Sequence, residues 1–159
     1  MKQAWIFAAV LILDQGTKWV VKHTMALGQS IRVFGDAVRL TFVENPGMAF
    51  GLRIGKGTVF TVFSLFACAF LVFYLWKNRH AGTGFSSSLF LILGGAVGNL
   101  IDRIAFGRVV DFIDVGFRHL RWPVFNVADS SVVIGMGILM VFMIREDRHR
   151  TRNQLTASG

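Results

Sequence analysis

A run of nineteen residues without a charged side chain, residues 58–76 (TVFTVFSLFACAFLVFYLW), constrains this chain more than any other feature. As an α-helix it would extend roughly 29 Å at about 1.5 Å per residue, which matches the hydrocarbon core of one bilayer. Cys68 lies midway along the run and is the only cysteine of the sequence, so it is expected to be a small packing residue rather than half of a disulfide. The run therefore predicts a transmembrane helix.

Three further apolar segments occupy about residues 4–21, 85–104 and 124–144. Hydrophobic residues make up 53% of the 159 residues and charged residues only 16%, which is too apolar for an ordinary soluble domain of this length. The expected fold is an α-helical membrane protein with four transmembrane helices, forming a single polytopic domain over residues 1–159. Four crossings place both termini on one side of the membrane.

The basic residues indicate which side that is. They are dense in the connection 77–84 and in the tail 145–159, so both segments are expected in the cytoplasm. The segments 22–57 and 105–123 are then extracytoplasmic. The formal net charge of +8 is spread over short polar segments, which favours basic flanks facing lipid headgroups and argues against nucleic-acid binding.

Both extracytoplasmic segments contain strand-like sequence. Side chains alternate in polarity over residues 38–43, and Asn45-Pro46-Gly47 follows as a turn signal. Residues 109–113 form a second, shorter β-prone stretch. A small extracytoplasmic β-cradle on the outer membrane surface is therefore expected.

Ionisable residues inside apolar spans are costly, so each is expected to have a partner or a function. Asp14 and Lys18 are four residues apart in the first span and can neutralise each other on one helix face. The structural reading of these two residues is an ion pair that anchors the helix. Gly94 and Gly98 in the third span have the small-xxx-small spacing that lets helices approach closely, so we expect a packing role for them.

The third span ends in a polar group. Asn99 and Arg103 share a helix face and form a donor-rich patch suited to a peptide carbonyl or a carboxylate, whereas Asp102 beside Arg103 also fits a simple interfacial ion pair. The fourth span opens with Asn126 and Asp129, three residues apart. Helix capping is the alternative explanation for these two residues, but a cap accounts for one of them more readily than for both.

Asp111, between spans three and four, can return over the outer end of the bundle beside Asp129. Two carboxylates in one site hold a single proton near neutral pH, the state needed to activate water against an amide. The dispersed histidines and the absence of a G-x-S-x-G sequence argue against a zinc site or a nucleophilic serine, although Lys18 with a serine stays a loose possibility. We expect no metal and no cofactor.

Five sequence blocks resemble, in order, the signature of bacterial lipoprotein signal peptidase (signal peptidase II, or prolipoprotein signal peptidase), a family of aspartyl peptidases. The blocks are Asp14-Gln15 with Lys18, Asn45-x-Gly47-x-Ala49-Phe50, Gly94-Gly95 with Gly98-Asn99-x-x-Asp102-Arg103, Val109-Val110-Asp111-Phe112, and Phe125-Asn126-x-Ala128-Asp129-Ser130. They cover nearly the whole chain, and the departures are slight: Pro46 and Met48 occupy variable positions of the second block.

The resemblance implies that Asp111 and Asp129 are the catalytic dyad of an aspartic endopeptidase in the bacterial inner membrane. It implies a supporting and substrate-binding shell of Asp14, Lys18, Asn45, Gly47, Asn99, Arg103, Asn126 and Ala128. The implied substrate is a prolipoprotein whose lipobox cysteine carries a diacylglyceryl group, cut on the N-terminal side of that cysteine. Membrane lipids are the other expected partner, the enzyme is expected to be a monomer, and the loop 45–50 is expected to clamp the lipobox.

Two other classes of function stay open at this point. In a proton-coupled transporter, Asp14, Asp102 and Asp129 would form a relay through the membrane. In a non-catalytic scaffold, the cradle would present a surface to a partner, and replacing Asp111 or Asp129 by Asn would leave the function intact.

Overall fold

The computed structural model describes residues 2–49, 52–53, 57–117 and 119–157. Its four long helices are α1 (Ala4–Thr24), α2 (Gly57–Lys77), α3 (Thr83–Phe106) and α4 (Val127–Ala157). Each contains a segment long and apolar enough to cross a membrane: Ala4–Thr24, Thr58–Lys77, Thr83–Phe106 and Val127–Arg148. The prediction of four transmembrane helices is confirmed.

The central helix is α3, which packs against each of the other three helices. Its glycines make this possible. A Cβ on Gly94 would lie 2.9 Å from Cβ of Val10 in α1, and a Cβ on Gly95 would overlap the Ala128 carbonyl oxygen in α4. The expected packing role of Gly94 is thereby confirmed, and Gly95 does the same on the opposite side.

Polarity is inverted relative to a soluble protein. Large apolar side chains such as Phe63, Phe66 and Trp76 are exposed on the outside of the bundle, whereas Asp14 and Lys18 are buried inside it. Lipid is a suitable solvent for the first group, and the buried ions must find partners within the protein. An apolar core cluster that includes Cys68, as expected from its place in the apolar run, fills the bundle where α2 meets α3.

Six strands within the described residues complete the fold. They are β1 (Ser30–Phe34), β2 (Val38–Asn45), β3 (Met48–Ala49), β4 (Leu52–Arg53), β5 (Val109–Phe117) and β6 (Leu120–Arg121). An antiparallel sheet has the order β1-β2-β5-β6, and β3 pairs separately with β4. The β2 and β5 strands confirm the two predicted β-prone stretches, whereas β1 was not anticipated.

The sheet is attached to one end of the helix bundle. Phe42 of β2 and Val110 and Phe112 of β5 pack against Val21 and Met25 at the end of α1. Phe125 exchanges backbone hydrogen bonds with Ile113, so the chain enters α4 directly beside β5. This attachment holds the Asp111 segment next to the first turn of α4.

Candidate active site

The side chain of Asn126 lies between the two residues predicted as a dyad. Its Nδ2 donates a hydrogen bond of 2.7 Å to Asp111 Oδ1, and its Oδ1 accepts a hydrogen bond of 2.9 Å from the backbone N–H of Asp129. Asn126 is fully buried and Asp111 almost so. The structure thus brings Asp111 of β5 and Asp129 of α4 into one site on either side of a single amide.

The start of α4 forms a reciprocal cap that uses both of its polar residues. Asn126 is the N-cap, and the Asp129 carboxylate accepts a hydrogen bond of 3.2 Å from the Asn126 N–H, as in a capping box. Both residues thus take part in the cap, although a cap was expected to account for one of them more readily than for both. Each residue also makes a hydrogen bond outside the cap. Asn126 Nδ2 donates to Asp111 Oδ1, and Asp129 Oδ1 accepts from Asn99 Nδ2.

Asn99 of α3 is the second amide of the site. Its Nδ2 donates a 2.7 Å hydrogen bond to Asp129 Oδ1, and its Oδ1 accepts from Asn126 Nδ2 at 3.1 Å and from Lys18 Nζ at 2.9 Å. The orientation of this amide is therefore fixed, because a flipped side chain would place its NH₂ group against the Lys18 ammonium. Asn99 links the carboxylate of Asp129 to the buried charges beneath it.

Those charges form a buried ionic triad around Lys18. Its ammonium lies 2.8 Å from Asp14 Oδ2 and 3.0 Å from Asp102 Oδ2, and all three side chains are at most 3% exposed. The predicted Asp14–Lys18 pair is confirmed. Asp102 is the residue that sequence reasoning assigned elsewhere: it pairs with Lys18, whereas its neighbour Arg103 contacts a different helix. Its position three residues from Asn99 was the available signal, because that spacing places both on one helix face.

Gln15 ties the two carboxylates of the triad together. Its Nε2 lies within 3.2 Å of Asp14 Oδ2, Asp102 Oδ1 and the Gly98 carbonyl oxygen. The three donors of the Lys18 ammonium are directed to Asp14, Asp102 and Asn99, so none is left for a serine. This geometry does not support the Ser/Lys arrangement.

Asp14 and Asp102 also accept hydrogen bonds from the backbone of the segments that carry Asp129 and Asp111. Asp14 Oδ1 accepts a hydrogen bond of 2.9 Å from Ala128 N–H in the first turn of α4, and Asp102 Oδ2 accepts one of 3.2 Å from Val110 N–H, the residue before Asp111. A Cβ on Gly98 would lie 2.6 Å from Asp14 Oδ2, so only glycine lets α3 approach this carboxylate. Ala128 thus takes part through its backbone rather than its methyl group.

Asn45 contacts the carboxylate oxygen of Asp111 that Asn126 does not bind. Its Nδ2 donates a 3.0 Å hydrogen bond to Asp111 Oδ2, and its Oδ1 accepts one from the Gly47 N–H. Gly47 has a φ of +106°, and a Cβ there would lie 2.7 Å from the Phe60 ring, so the turn requires glycine on both counts. The predicted clamp 45–50 continues through β3, and Phe50 lies outside the described residues.

Arg103 lies at the α2 side of the site. Its Nη1 is 3.4 Å from Ser64 Oγ, and its buried Nε has no hydrogen-bond partner among the described residues. Asp129 and Asp111 both interact electrostatically with this guanidinium. Ser64 was not anticipated, and it is one of the few polar side chains in an otherwise apolar helix, which was the only sequence signal for it.

Burial raises the pKa of Asp111 to about 7. The hydrogen bond from Asn45 opposes this shift, and the negative charge of Asp129 reinforces it. At neutral pH the Asp111 carboxyl group is therefore poised between its protonated and ionised forms. In the described part of the chain, no three His, Cys, Asp or Glu side chains are grouped so that they could hold a metal ion.

Residues 6–145 match the family profile of signal peptidase II (Peptidase_A8), which is most of the chain. The chain belongs to the signal peptidase II family. Membership makes it a peptidase, and with its four apolar helices it is a multi-pass protein of the inner membrane.

Individual relatives agree with this family assignment. A lipoprotein signal peptidase of Halothermothrix orenii is 45% identical over 139 residues, covering 87% of this chain and 92% of that protein. One from Syntrophus aciditrophicus is 41% identical over 147 residues, covering 89% and 91%. Among solved structures, a bacterial membrane enzyme determined by the in meso method at 2.3 Å resolution superposes with a TM-score of 0.83 at 32% identity, covering 92% of this chain and 89% of that one. Signal peptidase II membership and the four-helix fold with its small sheet are thus shown by sequence and structure together.

Proposed function

We propose that this signal peptidase II is an aspartyl endopeptidase that removes signal peptides from diacylglyceryl-modified prolipoproteins. It cuts on the N-terminal side of the lipidated cysteine, using water activated between Asp111 and Asp129. The substrate class is supported by relatives named lipoprotein signal peptidase. One observation carries the chemistry: Asn126 binds the Asp111 carboxylate through its side-chain amide and the Asp129 carboxylate through its backbone N–H, which holds the two carboxylates in one site.

The two carboxyl groups have different surroundings, which divides the roles between them. Asp129 lies in the first turn of α4, where its carboxylate accepts hydrogen bonds from the Asn126 N–H and from Asn99 Nδ2 and faces the positive end of the helix dipole. Asp111 has a pKa of about 7, because it is buried beside that negative charge. Asp111 is therefore the proton donor of the resting pair, and Asp129 is the general base.

Hydrolysis then proceeds in two steps. The Asp129 carboxylate takes a proton from the water, the water oxygen bonds to the scissile carbonyl carbon, and Asp111 gives its proton to the carbonyl oxygen. In the second step the carbon–nitrogen bond breaks, the amine nitrogen receives the proton held by Asp129, and a hydroxyl proton of the intermediate returns to Asp111. The pair regains its starting state, and no covalent enzyme intermediate forms.

Arg103 and Asn45 stand at the edges of this site. The buried Nε–H of Arg103, which has no partner within the described part of the chain, is suited to a backbone carbonyl of the substrate and would fix the peptide beside the dyad. Asn45 belongs to the turn that contacts Asp111 Oδ2, and this turn would close on the lipobox.

The same arrangement supports an orientation. With the basic segments 77–84 and 145–159 in the cytoplasm, the dyad lies at the extracytoplasmic edge of the membrane. A signal helix and two acyl chains can reach that edge by lateral diffusion within the bilayer. The exposed apolar flank of α2, which carries Phe63 and Phe66, would accommodate them.

The test compares cleavage of a diacylglyceryl-modified prolipoprotein by the purified parent enzyme and by Asp111→Asn and Asp129→Asn. We expect cleavage immediately before the lipidated cysteine, lost by at least about 10³-fold in both variants at equal folded yield. Asp36→Asn is the matched control, because Asp36 is an exposed carboxylate of the cradle whose ion-pair partners in the described part of the chain are Arg32 and Arg39.

Mass spectrometry of the products locates the cleaved bond. Cleavage that persists in either dyad variant contradicts the proposed mechanism. A parent enzyme that cleaves only after removal of the diacylglyceryl group contradicts the proposed substrate.

A further inference from the structure

A cavity of about 700 Å³ lies at the end of the bundle opposite the dyad. Its volume falls within the roughly 300–1,000 Å³ typical of small-molecule sites. It is bounded by the end of α2, the start of α3 and the second half of α4, with both α2 and α4 packed on α3. None of the proposed dyad and its supporting residues lines it, so it is a separate site.

The wall of this cavity is aromatic. The rings of Tyr74 and Phe85 are 5.8 Å apart, and those of Phe85 and Phe142 are 5.9 Å apart. A Cβ on Gly84 would lie 3.4 Å from the Phe142 ring, so a larger residue there would press on this wall. Leu139 adds an aliphatic surface to the same wall. Such a lining is suited to acyl chains.

The mouth of the cavity carries the opposite chemistry. Of the nine Asp and Glu residues, only Glu146 and Asp147 belong to the membrane surface opposite the dyad, and both line this cavity. Arg145 and Arg148 flank them in sequence, and Lys77 and Arg79 lie at the end of α2 and just after it, at the same end of the bundle. Two carboxylates amid cations match a headgroup that combines an ammonium with a phosphate.

We propose that this cavity binds an aminophospholipid from the leaflet opposite the dyad. Its primary ammonium group donates hydrogen bonds to Glu146 and Asp147, its phosphate faces the neighbouring basic side chains, and one acyl chain lies along Phe85, Leu139 and Phe142. Primary ammonium is specified because carboxylates accept hydrogen bonds from N–H groups. A trimethylammonium group has the same charge but no hydrogen to donate.

The experiment uses native mass spectrometry of the full chain in detergent, with dioleoyl phosphatidylethanolamine, phosphatidylcholine or phosphatidylglycerol added at equal concentration. We expect the parent to retain phosphatidylethanolamine about tenfold better than phosphatidylcholine, which corresponds to one charge-assisted hydrogen bond. The double variant Glu146→Gln/Asp147→Asn should retain the two lipids equally. Asp36→Asn, a carboxylate change in the cradle, should leave the preference intact.

A second variant tests the apolar wall without touching charge. Leu139→Trp fills the cavity and should lower retention of all three lipids, whereas Ile138→Trp, at a more exposed neighbouring position, should not. Equal retention of phosphatidylethanolamine and phosphatidylcholine by the parent overturns the proposal. A preference that survives in Glu146→Gln/Asp147→Asn overturns it as well. Neither readout depends on peptidase activity.

Discussion

Asn126 Nδ2 lies 2.7 Å from Asp111 Oδ1, so the residue that caps α4 also holds the carboxylate of a distant strand. The same amide lies 3.2 Å from the Val110 carbonyl oxygen and 3.1 Å from Asn99 Oδ1. One buried side chain thus joins β5, α3 and α4. Local helix capping and the geometry of the site are properties of a single residue.

Replacing Asn126 separates these two roles. Asn126→Ala removes the cap and the link to Asp111, so we expect about 1 kcal/mol of destabilisation and a loss of kcat on the order of 10²-fold. Asn126→Ser can still cap the helix and should recover the stability without the activity. Asn78→Ala, at the opposite end of the bundle, is the control and should cleave normally. Thermal unfolding and single-turnover cleavage provide the two readouts, and full activity in Asn126→Ser would refute this role.

The pH dependence of cleavage should reflect Asp111. Its carboxyl group gives up its proton as pH rises through about 7, and the proposed general acid is lost. We therefore expect kcat/KM for the parent enzyme to fall above about pH 7. A profile that stays flat to about pH 9 would contradict the assignment of the proton to Asp111.

Folding stability should depend on the same group. The pKa of Asp111 in the folded protein lies above its ordinary value of 3.8, so the folded state binds this proton more tightly than the unfolded state. The stabilisation is present at low pH and is lost as pH rises through about 7. The Tm of Asp111→Asn relative to the parent should therefore rise between about pH 5 and about pH 8. A difference in Tm that is constant over this interval would exclude the shift.

Lys18 should be the residue on which the buried triad depends most. Lys18→Met leaves Asp14 and Asp102 buried without their cation, for which we expect a loss of about 3–5 kcal/mol. Lys22→Met is the matched control, since Lys22 lies over the Phe106 ring and its removal should cost only about 1 kcal/mol. Denaturant titration in detergent measures both. Equal losses in the two variants would contradict the triad's importance.

Gly95 and Gly137 make a second matched pair. Gly95→Ala drives a methyl group into Ala128 and Ser131 of α4, and we expect about 1–3 kcal/mol of destabilisation. Cleavage should also fall, because Ala128 lies in the first turn of α4, next to Asp129. A methyl group added to Gly137 in α4 would meet no atom within 4 Å, so Gly137→Ala should be neutral or stabilising by up to about 1 kcal/mol. Thermal unfolding in detergent compares the two variants. A tolerated Gly95→Ala would mean that the helices can move apart at little cost.

Features that depend on neighbouring residues could be predicted from the sequence. The four spans follow from local hydropathy, and the Asp14–Lys18 pair follows from a spacing of four residues. Strand β2 follows from alternation of its side chains, and β5 follows from the β-prone residues 109–113. The start of α4 was predicted in the same way, since Asn126 and Asp129 lie at its beginning as their spacing of three residues indicated.

Tertiary structure decided the partners that span helices. Asp102 could have paired with adjacent Arg103, but the close approach of α1 and α3 at Gly98 places Lys18 beside it instead. Strand β1 is exposed along its whole length and is held by its pairing with β2. Hydropathy is a property of each segment and its solvent, so the sequence alone determined which segments cross the membrane. The partner of a buried charge depends on how closely two helix backbones can approach, which only the packed bundle decides.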